Sequence, residues 1–203
     1  MIDAALSFLS DELNEYLKIR SDDPDTPRII LSNVAIAGDT GSSVGFPDNH
    51  LGMSLINIEE ERVFKDQRTS FTNSDGLTEH MNPDLKLNLY IIISANYQDS
   101  VASGSSIDYK EGLKQLSYVI SFFQAKNVFT KDSTPKLAET SIEKLVVELY
   151  SYSFEQLNNF WSVLGTHYMP SVLYKVRVIT IQEKALQDIA LPIEKIRINT
   201  SDK

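Results

Sequence analysis

The residues that most resemble a reaction centre are Asp39-Thr40-Gly41-Ser42-Ser43, which directly follow an apolar run. An Asp-Thr-Gly sequence marks pepsin-like aspartic proteases, in which two aspartates share one proton because neighbouring like charges do not both ionise. This chain has one such motif, so a dimer would have to supply the second. The same residue types build ordinary turns. The preceding Gly38 and the later helices favour a turn, and a dimeric hydrolase that uses Asp39 or Ser43 is the alternative.

The segment from Gly41 to Gly45 also matches the G-x-S-x-G pattern of hydrolases. That motif requires a strand, a sharp turn and then a helix. Phe46-Pro47-Asp48-Asn49 follows instead, which is not a helix start, and no Gly-Lys-Ser/Thr completes a phosphate loop. We therefore predict no catalytic residue and no enzymatic activity.

The sequence offers few residues that could bind a metal or a cofactor. His50, His80 and His167 show no metal-ligand spacing, and the chain has no cysteine. The acidic run Glu59-Glu60-Glu61 is typical of a solvated strand edge, where charge discourages unwanted pairing. We expect no metal and no cofactor.

An aromatic cluster is a further candidate for a ligand pocket or an interface. Aromatic residues concentrated in this way more often belong to a core, and we favour that reading. The members are Phe154, Phe160, Trp161, Tyr168 and Tyr174.

Composition excludes several classes of function. The 203 residues carry 28 acidic and 19 basic side chains, a net charge of −9, and 42% of them are hydrophobic. So acidic a surface is repelled by nucleic acid and anionic lipid, and neither is an expected partner. The apolar run Leu89–Ala95 is too short to span a membrane. The acidic N-terminus is not a signal peptide, and the absence of cysteine fits a reducing cytoplasm.

Periodicity predicts the elements that position these residues. Apolar residues at steps of three and four predict a helix over Ile2–Ile19. Strands are predicted over Ile29–Ala37, Leu55–Val63, Leu85–Ile93, Val128–Thr130 and Val172–Ile181. Residues 38–52 and 98–105 are predicted to be loops, and 65–84 a flexible loop.

Two capping boxes predict helix starts. Ser105-x-x-Asp108 would open a helix with a stripe of Tyr109, Leu113, Leu116, Ile120 and Phe123. Gly112 beside that stripe indicates a close approach to a neighbouring backbone. Ser153-x-x-Gln156 would open a second helix, which Gly165 ends.

The segment Ile142–Tyr150 fits a helix or a strand, and its β-branched pair favours a strand. The resulting order predicts an α/β fold, a single mixed β-sheet with helices packed on it. We divide the chain into a domain over residues 1–187 and a C-terminal strand or arm over 188–203.

Nearly the whole chain resembles the tail-terminator (cap) proteins of extracellular contractile injection systems, which are phage-tail-like particles. The longest resembling stretch is IEKLVVELYSYSFEQLNNFWSVLGTHYMPSVLYKVRVITI, from Ile142 to Ile181. Shorter ones cover 1–17, 88–97 and 112–130. The resemblance implies a phage tail-terminator-like α/β subunit and favours the strand at Ile142–Tyr150. A terminator or adaptor of a true phage tail is the alternative within this class.

The resemblance also implies partners. Such subunits form a six-fold ring that closes the inner tube and the last ring of the contractile sheath. Sheath subunits exchange strands through extended arms, so a sheath end leaves strand edges that a terminator can pair. The implied localisation is assembly in the cytoplasm, then a place in a released or anchored particle.

The C-terminal segment Ile189–Asn199 is the predicted sheath-binding arm. Pro192 suits a sheet edge, since it donates no ladder hydrogen bond. Apolar and basic residues alternate beyond it, and the basic pair would suit an acidic partner. The alternative is a last edge strand folded onto its own subunit. The predicted partner-binding residues are Ile189, Leu191, Ile193, Lys195, Ile196, Arg197 and Ile198.

Overall fold

A computed structural model describes residues 1–20, 28–38, 41–61, 70–72, 78–80, 86–97, 107–180 and 188–190. The helices are α1 Ile2–Lys18, α2 Ile107–Ala125, α3 Pro135–Ala138 and α4 Phe154–Leu164. The strands are β1 Ile29–Leu31, β2 Ala35–Gly38, β3 Gly41–Val44, β4 His50–Glu60, β5 Ser70–Thr72, β6 Thr78–His80, β7 Lys86–Asn96, β8 Val128–Thr130, β9 Ile142–Leu149, β10 Ser171–Thr180 and β11 Asp188–Ala190.

Six strands form the main sheet in the order β1-β4-β7-β10-β9-β8. β1 runs parallel to β4, and all the other pairs are antiparallel. The predicted mixed sheet with helices packed on it is therefore confirmed. So is the strand reading of Ile142–Tyr150, because β9 pairs with β10 on one side and β8 on the other.

One face of the sheet forms the main core. α1 and α2 cover this face, and the alternate side chains of β7 and β10 point into it. Period-two alternation sends every second residue of a strand to the same side, so the pattern predicted for Leu85–Ile93 is the pattern observed. The fully buried side chains that β7 and β10 place in this core include Leu89, Ile91, Ile93, Tyr174, Val176 and Val178.

The opposite face is half covered. A smaller apolar cluster beneath α4 joins Val34, Phe46, Ile92, Trp161 and Met169. Beyond this cluster the same face carries polar residues. The strand residues that point away from the main core thus form a second small core beneath α4 and an open polar surface beyond it.

Residues 38–52, predicted to be a loop, are mostly strand. β2 and β3 pair as an antiparallel hairpin, and β4 already begins at His50. The predicted strand Ile29–Ala37 divides into β1 and β2 because Val34 leaves the main sheet for the second cluster. Short strands interleaved with glycine and serine give little periodicity, which explains why the pattern failed here.

Three further short elements, β5, β6 and α3, were not predicted. β5 and β6 lie within residues 65–84, which we expected to be a flexible loop, and they form a three-stranded sheet with β11. The single-turn helix α3 begins with Pro135, whose fixed φ suits the first helical position.

The predicted stripe of α2 is only partly correct. Tyr109, Leu113 and Ile120 are exposed, while Leu116 and Phe123 are buried. The buried face is centred instead on Gly112, Gln115, Leu116, Val119, Phe122 and Phe123. Contact between Gly112 and Tyr97, the residue after β7, sets this rotation, since a Cβ at Gly112 would lie 2.9 Å from the Tyr97 Cβ. Gly112 thus makes a close approach as predicted, but to a side chain and not to a backbone, and Ser105 lies outside the described residues.

The Gly112→Val substitution should destabilise the fold. Its side chain would collide with Tyr97, and overpacking of this kind costs about 1–3 kcal/mol of unfolding free energy. Urea unfolding would measure the loss as a lower midpoint at an unchanged slope. Ser117→Val, on the exposed side of the same helix, is the matched control and should stay within about 0.5 kcal/mol. Equal midpoints for the two variants would contradict the contact.

Candidate functional surfaces

The residues on either side of Asp39 and Thr40 form two paired strands. Gly38 at the end of β2 and Gly41 at the start of β3 are register partners. Asp39 and Thr40 themselves lie outside the described residues. Ser43 of β3 pairs with Ile36 of β2, and the next described element is strand β4, so the strand-turn-helix geometry of a hydrolase elbow is missing around Ser43.

The predicted histidines occupy separate places. His50 begins β4 and its Nδ1 lies 2.8 Å from the Asp48 carbonyl oxygen. His80 is in β6, and His167 is exposed after α4. Within the described ranges, no three His, Asp or Glu side chains come together as a metal site.

The acidic run at the end of β4 does more than form a solvated edge. Glu59 and Glu60 are exposed, as predicted. Glu61 is buried and accepts a hydrogen bond from Asn88 Nδ2 at 3.0 Å. The strand thus ends by turning one carboxylate inward to the polar face of the sheet.

A polar face extends across the four central strands of the sheet. Its members are adjacent in register, because Lys175 is opposite both Tyr90 of β7 and Glu148 of β9. Tyr90 donates a hydrogen bond to Glu59 at 2.8 Å, and its ring meets that of Tyr150 edge-on at 5.3 Å. We define the polar face as Glu59, Asn88, Tyr90, Glu148, Tyr150, Lys175 and Arg177.

Ion pairing and desolvation organise this face. Arg177 Nη2 donates to both carboxylate oxygens of Glu148, at 2.9 and 3.0 Å. Lys175 Nζ lies 5.9 Å from the centre of the Tyr90 ring. Burial, and then the hydrogen bond to Glu59, raise the pKa of Tyr90 to about 12. The arrangement therefore holds a protonated phenol and paired charges at neutral pH.

The second predicted helix forms as expected. The Ser153 hydroxyl accepts from the Gln156 N–H at 3.3 Å, and the Gln156 side chain accepts from the Ser153 N–H at 2.9 Å. Gly165 ends the helix with φ 67°, a left-handed conformation that favours glycine. The capping box and the terminal glycine are both confirmed.

The predicted aromatic cluster divides between three environments. Trp161 packs edge-on against Phe160 and Tyr168, at 5.8 and 5.7 Å between ring centres. Tyr174 is on the opposite face of the sheet, against Phe123 in the main core. Phe154 is 91% exposed at the start of α4. Only part of the cluster is core, because Phe154 and Tyr168 are exposed. Alternation in β10 turns Tyr174 away from α4 and into the main core instead.

A small apolar cavity lies beside the start of α4. Its volume is about 160 Å³, and it is lined by Tyr150, Tyr152, Gln156, Phe160 and Leu173. Phe154, which is exposed, begins the same helix, so this end of α4 presents apolar surface to solvent.

The structure places only the beginning of the predicted arm. Ile189 lies in β11, where it is the register partner of Glu79 in β6 of the same chain. The other six predicted arm residues lie outside the described residues. Sequence reasoning missed the polar face and its Tyr90–Glu59 contact, because residues from separate strands meet there only through sheet register.

The chain matches a known protein family over most of its length. A family model described as the Pvc16 N-terminal domain matches residues 4–195. No curated protein matches the chain. No helix among the described residues is long and apolar enough to cross a membrane.

Two solved structures share the fold. One is the sheath/tube terminator of PVC, an extracellular contractile injection system, in the extended state, with a TM-score of 0.55 and 13% identity over 97% of this chain and 63% of that chain. The other is the tube terminating cap of the anti-feeding prophage, with a TM-score of 0.58 and 11% identity over 98% of this chain and 61% of that one. The chain therefore spans about three fifths of the length of either protein.

Replacing Glu59 with Gln should lower the pKa of Tyr90 part of the way from about 12 towards its ordinary value of 10, because burial remains. The folded state holds this proton more tightly than the unfolded state. The stability it contributes is therefore complete below about pH 10 and is lost as the pH rises through 12. Absorbance at 295 nm during alkaline titration measures the shift. Glu143→Gln, an exposed change on β9, is the control, and identical titrations of the two variants would refute the Tyr90–Glu59 interaction.

Proposed function

Because the chain belongs to the Pvc16 N-terminal domain family, we propose that it is a structural cap that terminates the inner tube and contractile sheath of a phage-tail-like injection particle. The observation that carries this proposal is the shared fold with two terminators over 97% and 98% of the chain. Both neighbours are named as terminator or cap proteins, which supports a structural role rather than an enzymatic one.

The described surfaces agree with such a role. The strands on either side of the Asp39 motif pair with each other, and the polar face presents paired charges. Exposed aromatic side chains are a feature of protein interfaces. The partners would be the tube and sheath proteins of the particle, with no nucleic acid and no membrane.

We further propose that six copies form a closed ring at one end of the particle. Closed rings arise from head-to-tail contacts between identical subunits, and a terminator must match the symmetry of the tube end it closes. Six copies at −9 each carry −54, so the ring would oppose the passage of nucleic acid. Assembly would take place in the cytoplasm, before the particle is released or anchored.

The C-terminal segment is proposed to pair with an open strand edge of the terminal sheath subunits. Ile189 already lies in a strand, and apolar and basic residues alternate along the segment to Asn199. Each backbone hydrogen bond contributes about 1 kcal/mol net, so a few bonds repeated six times would hold a sheath end closed.

The cap proposal predicts particles of uncontrolled length without this protein. Electron microscopy of particles from a strain lacking the gene should show open tube ends and sheaths of irregular length. Complementation with the intact chain should restore one extra layer of six copies at one end. A terminal layer of another symmetry would contradict the ring, and density for the chain in the baseplate or inside the tube would contradict the cap.

The arm proposal predicts a separation between folding and sheath binding. A chain that ends at Ala190 keeps β11 and its pairing with β6, so its melting temperature should be unchanged. Its particles should nevertheless have sheaths of irregular length or contract prematurely. A paired variant, Lys195→Glu with Arg197→Glu, tests the basic pair at full length. A truncated chain that loses several degrees of stability would show that the segment belongs to the subunit's own fold.

A further inference from the structure

Strand β9 extends past the strand beside it. β8 pairs with β9 only from Lys144 to Val146, because the chain before β8 is helix α2, which ends at Ala125. The last ladder contact on this side is the Val147 N–H donating to the Asn127 carbonyl at 2.8 Å. Among the described residues, the final residues of β9 therefore have a strand neighbour, β10, on one side only.

The backbone of Leu149 faces outward at this edge. The Tyr150 N–H donates to the Leu173 carbonyl in β10 at 2.8 Å, whereas that of Val147 points the opposite way. Peptide directions alternate along a strand, so Leu149 shares the direction of Val147. In the described part of the chain no strand lies opposite Leu149, and its side chain is 58% exposed. The backbone N–H and C=O groups of Leu149 can therefore hydrogen-bond to an added β-strand.

An apolar groove runs beside the open edge. It has a volume of about 500 Å³ and lies between the second half of α2 and the end of β9. Ile120 and Leu149 are exposed along it, and Glu148, its charged member, is engaged by Arg177. The remaining lining residues are Phe123, Gln124, Asn127, Val147 and Tyr174.

A polar group in the groove has no hydrogen-bond partner. The Tyr174 side chain is 2% exposed, and its hydroxyl finds no acceptor or donor among the described residues. Burial raises the pKa of this phenol to about 12, so the hydroxyl is a neutral donor at physiological pH. A buried hydroxyl without a partner costs free energy, and a carbonyl of an added strand would satisfy it.

A separate strand pair is a candidate for the added strand. Among the described residues β2 and β3 form a sheet of two strands with no further strand at either edge, and a two-stranded hairpin is only marginally stable alone. Its strands carry neither charge nor proline, the usual protections of an edge. By contrast, the Asn14 side chain closes the β1 edge by accepting from the Arg28 and Ile29 N–H groups and donating to the Ile29 carbonyl, each at 2.9 Å.

We propose that the open edge of β9 accepts strand β2 of a second copy of this chain, which continues the main sheet from one subunit into the next. Neutral surfaces meet in this contact, which matters because copies that each carry −9 repel one another elsewhere. Donor and acceptor are different parts of the subunit, so the contact is head-to-tail and leads to a ring when the rotation closes. The proposal rests on the proposed ring and names its contact.

Engineered disulfides test the contact directly, because the natural chain has no cysteine. A full-length chain with Leu149→Cys and Ile36→Cys would be assembled into particles and oxidised. We expect a ladder of cross-linked bands up to six copies on a non-reducing gel. Ala35→Cys and Ala37→Cys replace Ile36→Cys to cover the neighbouring registers. Val163→Cys, exposed on α4, replaces Leu149→Cys as the control and should give no ladder.

The outcomes distinguish the occupants of the groove. Dimers formed by the Leu149→Cys variant alone would indicate a two-fold contact between β9 edges and would overturn the proposal. A cross-link to a different particle protein would identify that protein as the occupant of the groove and would overturn it as well. Capped particles without a ladder in all three registers would also overturn it, while leaving the cap function intact. Failure of the wild-type chain to cap any particle would instead refute the proposed function.

A proline variant gives a second readout. Leu149→Pro removes an outward N–H and leaves the β10 ladder intact, because edge positions tolerate proline. Its melting temperature should stay within a few degrees of wild type, while closed rings at particle ends are lost. Leu149→Ala, which keeps the N–H, should still form rings. Normal rings with Leu149→Pro would contradict strand addition at this edge.

Discussion

Burial of strand β7 on both faces is the constraint on which the rest of the structure depends. Leu89, Ile91 and Ile93 enter the main core, and Ile92 enters the smaller core beneath α4. Both backbone edges of β7 are paired, with β4 and with β10. A strand desolvated on both faces must have its backbone hydrogen bonds made, so the positions of its two neighbours, β4 and β10, follow from it.

The two faces of the sheet have different roles. The face covered by α1 and α2 holds most of the apolar core and supplies stability. The other face is only half covered, so it can present the polar side chains of four strands at fixed spacing. Such a division suits a subunit whose proposed role is to contact several proteins without changing its own fold. Rigid strands hold the Tyr90–Glu59 and Arg177–Glu148 contacts in place.

The two edges of the main sheet differ. An edge strand presents unpaired backbone N–H and C=O groups, which must be covered or can pair with another strand. Asn14 closes the β1 edge with three hydrogen bonds. At the other side β9 runs past the short β8, because helix α2 occupies the preceding chain. Among the described strands, one edge of the sheet is protected and the other is open, and this asymmetry favours directional association over random aggregation. The proposed ring makes use of that asymmetry.

Local sequence by itself determined several of the long elements and both ends of α4. Helix periodicity predicted α1, alternation predicted β7 and β10, and the Ser153–Gln156 box with Gly165 predicted both ends of α4, because each signal depends on residues within a few positions. Only tertiary structure decided the rest. The buried face of α2 depends on contact between Gly112 and Tyr97, and the hairpin of β2 and β3 depends on Val34 leaving the main sheet. The polar face and the open end of β9 join residues from separate strands, and sheet register, which no local pattern encodes, brings them together.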